Sequence, residues 1–154
     1  MDVQVIGLRG KASFDDMVKH FISLGGESII MDPMYVCGKD HLISAAMHAE
    51  RSFEHGTNRS KTLLTEIILY AAGERQINKA MERMRPKSGK EDYAVVLLNV
   101  PDDLKLDSIG MVRDDSILEA NDEKAGLMGF DDSFGIPYED QALEMVALLD
   151  LAKY

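Results

Sequence analysis

Between Lys39 and Arg85 three apolar patterns of helical period follow one another, and this run limits the possible folds more than any other part of the chain. In the first, Leu42, Ala45, Ala46, Ala49 and Phe53 recur at i, i+3, i+4, i+7 and i+11, which makes one buried face of a helix running to Gly56. Its small alanines predict a close-packed neighbour. In the second, Leu63, Leu64, Ile67, Ile68, Tyr70 and Ala71 cover most of the circumference, so this helix is expected at the centre, with Asn58 and Ser60 as candidate caps. After Gly73 the third pattern places Ile77, Ala80, Met81 and Met84 on one core-facing side and ends at Arg85, because the residue before Pro86 is pushed out of helical geometry.

The flanking segments supply strands. Asp2 to Ile6 alternates and then meets Gly7 and Gly10, which reads as a strand ending in a turn. Ser13 is placed to cap a helix carrying Phe14, Met17, Val18, Phe21 and Ile22, closed by Gly25 and Gly26. Ser28 to Met31 and Met34 to Cys37 read as short strands around Asp32 and Pro33, and Tyr93 to Leu98 is a continuous apolar run of the kind found in a central strand. Asp102 to Val112 fits a short helix or a loop, and Asn121 to Tyr138 is expected to be mostly irregular. A last helix spans about Tyr138 to Lys153. The 154 residues fit a single domain of α+β or mixed α/β class, a small central sheet packed with several helices.

No stretch approaches the roughly 20 apolar residues of a membrane span, and Met1 to Gly7 has no signal-peptide character, so a cytoplasmic protein without membrane partners is expected. The single Cys37, inside an apolar run, reads as a small core residue and not a nucleophile. A net charge of -10 conceals a sharp asymmetry. Residues 39–90 hold ten basic and six acidic side chains, whereas residues 91–154 hold four and sixteen. The middle suits a polyanion; the remainder suits a basic protein or serves solubility.

His41, His48 and His55 are spaced by seven along the first long helix. Residues seven apart are separated by roughly 10 Å along the axis, too far for one zinc ion, so they read as boundary side chains near the core, able to face RNA or a partner. No P-loop, nucleophile elbow or HExxH helix occurs, and the paired carboxylates such as Asp114 and Asp115 read as caps and turns. No catalytic residue, metal ligand or cofactor is therefore expected. The third helix presents Arg75, Lys79 and Arg83 at i, i+4 and i+8, a basic ridge opposite its apolar side. Arg85, Lys87 and Lys90 extend it, and Arg59 and Lys61 stand at a helix N-terminus whose free N–H groups favour a phosphate. Sequence-blind RNA contact through these side chains is the expectation.

The last helix has too much apolar surface. Ala142, Met145, Val146 and Leu149 form one stripe, while Ala147, Leu148 and Leu151 lie on the other side. Met145, Leu148 and Leu151 are the candidate partner-binding residues, unless the acidic stretch Asn121 to Pro137 folds over them.

The segments Gly38-Lys-Asp-His-Leu-Ile-Ser-Ala-Ala-Met-His-Ala49, Asn58-Arg-Ser-Lys61 and Thr65-Glu-Ile-Ile-Leu-Tyr-Ala-Ala-Gly-Glu-Arg-Gln-Ile-Asn-Lys-Ala80 resemble the smallest core subunit of the archaeal KEOPS complex. This is the Cgi/TPRKB (PRPK-binding protein) family, and Met145 to Leu151 resembles its C-terminal helix. The resemblance implies a non-catalytic α/β subunit. It would bind and stimulate the kinase-like ATPase subunit and engage the 3′ CCA end of tRNA, within a complex that makes threonylcarbamoyladenosine. It also implies that Arg75 and Gln76 contact RNA and that Ile77 is structural. Two other readings compete: a small enzyme or binding module for an anionic metabolite or nucleotide near Asn58 to Lys61, and a structural adaptor without RNA contact.

Overall fold

The apolar run at residues 93–98 is a strand inside a four-stranded antiparallel sheet, and the fold is α+β. The computed structural model describes residues 1–152, which divide into two compact units. The first comprises Met1–Pro33 and Pro86–Leu118 and holds β1 (Val3–Gly10), α1 (Phe14–Ser23), β2 (Glu27–Met31), β3 (Asp92–Leu98) and β4 (Met111–Arg113). The strand order is β2-β3-β1-β4, with Val3 and Glu27 both opposite Leu98, and Leu8 opposite Arg113. Six consecutive buried residues, Tyr93 to Leu98, explain why β3 reads as apolar without alternation.

β1 corrects one expectation: it runs straight through Gly7, which is no turn. Gly7 pairs with Ala94, its N–H donates to Asp115 Oδ1 at 3.0 Å, and an added Cβ would lie 2.2 Å from the carbonyl oxygen of Asp114. The glycine is there for a close backbone approach. On one face of the sheet Ile6, Leu8, Val95 and Leu97 pack with Met17 and Phe21 of α1. Burial of each of the two α1 side chains stabilises by about 1.5–3 kcal/mol. Ser13 caps α1 by accepting from Asp16 N at 3.1 Å. The ambiguous stretch after Asp102 resolves into a 3-10 turn, Leu106–Ile109, and the edge strand β4. Lys87 lies 3.3 Å from the buried carboxylate of Asp32.

The second unit, Met34–Arg85 with Glu119–Tyr154, is helical through its described residues: α2 (Lys39–Glu54), α3 (Leu63–Ala72), α4 (Ile77–Met84), α5 (Asp122–Met128) and α6 (Tyr138–Ala152). α2 packs on α3 and α6, and α3 also packs on α4. Ala45, Ala46 and Ala49 are fully buried, which is the close approach their size predicts. Two expectations fail. Met34 to Cys37 is not a strand, because Pro33–Tyr35 forms a 3-10 turn that leads into α2. α3 is capped by Thr62, not by Asn58 or Ser60. Asn121 to Tyr138 is irregular over most of its length, as expected, but it also holds one short helix: Asn121 accepts from Lys124 N at 2.9 Å to start α5, and Gly129, at φ 74°, ends it. Buried Lys124 reaches back to donate to Glu119 O, so a charged side chain serves the interior.

His41 also departs from expectation. It is fully buried: Cys37 N donates to its Nδ1 at 3.1 Å and its Nε2 faces Ala71 O at 2.8 Å, so the ring is neutral with the proton on Nε2. Burial pushes its pKa from 6.5 down to about 4. The unfolded chain therefore binds a proton that the folded one refuses. His41 contributes full stability above pH 6.5, and this falls away as the pH drops towards 4. The loss is about 3 kcal/mol. Urea titrations at a series of pH values should show a shallower slope in this window for His41→Gln than for the wild type; equal slopes would refute the assignment. Cys37, also fully buried, has its thiol pushed upward by burial and is a core residue.

Candidate functional site

α6 divides into two faces. Ala142, Val146 and Leu149 are buried, whereas Leu148 is 51% and Leu151 73% exposed, with Met145 intermediate. The acidic stretch does not cover either leucine. Beside them is a groove of about 430 Å³, lined by Arg75, Phe130, Gln141, Met145 and Leu148 among others. The turn after α3 builds one wall. Gly73 adopts φ 63° and Glu74 N donates to Leu69 O at 3.1 Å, a left-handed helix ending that a side chain would strain. An added Cβ there would also meet Met145 Cγ at 2.5 Å.

The basic residues are exposed but not arranged as one ridge of free charge. Arg59 and Arg75, from separate loops, both donate to the carbonyl oxygen of Ala152, at 3.1 and 3.2 Å. Arg83 donates to Ala72 O at 2.7 Å. Each guanidinium thus satisfies an orphan carbonyl at a helix C-terminus, where positive charge is favoured. Lys61, Gln76 and Lys79 are exposed, Gln76 as the residue that precedes α4. Glu74 sits among these cations. Its carboxylate accepts from Gln76 N and Arg75 N, and these bonds hold its pKa below the usual range, with Lys79 and Arg83 adding to the effect. Ile77 and Met81, expected in the core, are 43% and 42% exposed; Ala80 and Met84 alone fill that side. The apolar stripe of α4 is wider than the neighbour that covers it.

The structure therefore brings together Arg59, Arg75, Met145 and Leu148, which the sequence divides between two separate surfaces. It places Lys79 and Arg83 further along α4.

Sequence reasoning misses the polar network beneath this face. Glu66 is fully buried in the otherwise apolar α3. Its carboxylate accepts from Ser52 Oγ at 2.9 Å, Arg59 N at 3.1 Å, and both Ser60 N and Ser60 Oγ at 3.0 and 2.9 Å. Two of the N–H groups expected to be open to an external anion near Asn58 to Lys61, those of Arg59 and Ser60, are thus bonded to the protein's own carboxylate. One turn on, Tyr70 donates to Asp150 Oδ1, and His48 Nδ1 lies 2.6 Å from Asp150 Oδ2. Burial, and then the bond to Asp150, raise the Tyr70 pKa well beyond its ordinary value. The network joins α2, α3 and α6. Its one visible signal is the lone acid Glu66 in the run Leu63 to Ala72, four residues before Tyr70.

This geometry provides surfaces for binding: an apolar helix face with an adjacent groove and two arginines at its end. The model of the family described as "Kinase binding protein CGI-121" matches residues 16–131, which includes most of α1 and all of α2 to α5. Comparison with curated proteins finds no matching relative.

Proposed function

The chain belongs to the CGI-121 family of kinase-binding proteins, and on that premise we propose that it is a non-catalytic, cytoplasmic subunit of the KEOPS complex. It binds and stimulates the kinase-like ATPase subunit and delivers tRNA for threonylcarbamoyladenosine formation. The observation that carries this reading is the uncovered apolar face of α6 at Leu148 and Leu151, a surface of the type that protein partners bury. The kinase-like subunit docks there, with Met145 beneath. tRNA is recruited by its 3′ CCA end through the basic side chains Arg59, Lys61, Arg75, Lys79 and Arg83 together with Gln76.

A second reading, an adaptor that touches no RNA, is favoured by the engagement of Arg59, Arg75 and Arg83 with helix-end carbonyls. Anisotropy titrations with intact tRNA and with tRNA lacking CCA separate the two. RNA delivery predicts CCA-dependent binding that weakens with salt. Lys61→Glu with Lys79→Glu should weaken it at least tenfold; these lysines are chosen because the arginines also cap helices. Equal, negligible binding of both RNAs leaves the adaptor.

A further inference from the structure

The most exposed large apolar side chain in the described part of the second unit is Phe134, at 84%, and Ile136 beside it is 45% exposed. They stand on the loop between α5 and α6, which is internally well bonded. The Gln141 side chain accepts from Asp131 N at 3.1 Å and donates to Asp131 O at 2.6 Å and Ile136 O at 3.0 Å. Gly135, at φ 70°, closes a turn onto Asp132 O, and Ser133 bonds the Asp131 carboxylate. A loop tied at both ends by one glutamine has little freedom left to fold its phenylalanine inward.

Gln141 also lines the groove on α6, and it lies on the helical face shared by Glu144, Leu148 and Leu151. Loop and helix therefore present adjoining surfaces. The stretch that forms them is acidic: residues 119–152 hold nine carboxylates against one basic side chain, Lys124, which is buried, and the cations nearby, Arg59 and Arg75, come from other loops and gather at the Ala152 end of α6. Asp132, Asp140 and Glu144 are exposed around the apolar residues. Such a surface repels a polyanion and matches a basic protein surface.

We propose that the loop Phe130 to Pro137 is a second anchor of the kinase-docking surface, seating Phe134 in an apolar pocket of a basic protein surface, with Gln141 as the residue that positions it. This rests on the docking reading for α6 and extends it. An exposed aromatic on a backbone already tied in place loses little backbone freedom on docking, which suits an interface hot spot.

The test uses the full chain and the purified kinase-like ATPase subunit of the KEOPS complex, by calorimetry or biolayer interferometry. Phe134→Ala should weaken binding roughly 30-fold, with the melting temperature unchanged because the side chain is solvent-exposed. Gln141→Ala should weaken it less, through a slower and less complementary fit. Raising ionic strength from about 0.05 M to about 0.5 M should weaken wild-type binding severalfold, and Asp132→Lys with Asp140→Lys should slow association. Wild-type affinity in Phe134→Ala, with Leu148→Arg still defective, overturns the loop anchor alone. Failure of the wild type to bind overturns the docking reading and the anchor with it.

Discussion

Glu66→Ala lowers the stability of the protein by about 3–5 kcal/mol, a large part of the roughly 5–15 kcal/mol that a domain possesses. The carboxylate it removes is the shared acceptor for Ser52 Oγ, Arg59 N, Ser60 N and Ser60 Oγ. Alanine leaves these donors facing a gap in a part of the structure that excludes water. Glu66→Gln keeps the shape but turns one acceptor into a donor, so it should fall between the wild type and alanine. Thermal melts should show a drop of roughly 10 °C for alanine. A melt within a degree or two of the wild type would mean that the loop finds other acceptors, and the assigned role would fail.

Leu148→Arg should have the opposite profile: loss of detectable binding to the kinase-like subunit, at least a hundredfold, with an unchanged melting temperature and circular dichroism spectrum. Leu148 is half exposed in the free protein, so an arginine there keeps its guanidinium in water. Docking would bury that charge without a partner, and a basic partner would also repel it. Leu149→Arg is the control. Leu149 is 3% exposed, and the charge would be forced into the helical core and unfold it. Should Leu148→Arg itself unfold the chain, the residue supports the fold; should it bind normally, the partner docks elsewhere.

The run from Lys39 to Arg85 was legible because its information is local. The period of its alanines and leucines, the glycine after α3 and the proline after α4 suffice to place three helices. α5 was hidden because a helix of seven residues with Ala125, Leu127 and Met128 as its apolar side chains is too short to show a helical period, although Asn121 and Gly129 are proper start and stop residues. Ile77 and Met81 mark a limit of amphipathic reasoning. The pattern identifies an apolar face, but how far a neighbour covers that face depends on helices distant in sequence. Leu148 and Leu151 were readable for the converse reason, since one helix with two apolar sides exceeds what a small unit can bury. The arginine caps and the Glu66 network were not readable. They depend on loops returning to helix ends across separations as large as the 93 residues between Arg59 and Ala152.

The tie between Asp150, Tyr70 and His48 bears on kinetics. Asp150 lies between Leu148 and Leu151, so the same turn that offers leucines outward is fastened inward to α2 and α3. The proposed docking face is thereby preorganised, and a partner would meet a surface whose ordering entropy was lost when the chain folded. Encounter rates should then follow diffusion and the acidic field of α6, whereas the lifetime of the complex should follow its apolar anchors, the two leucines and Phe134.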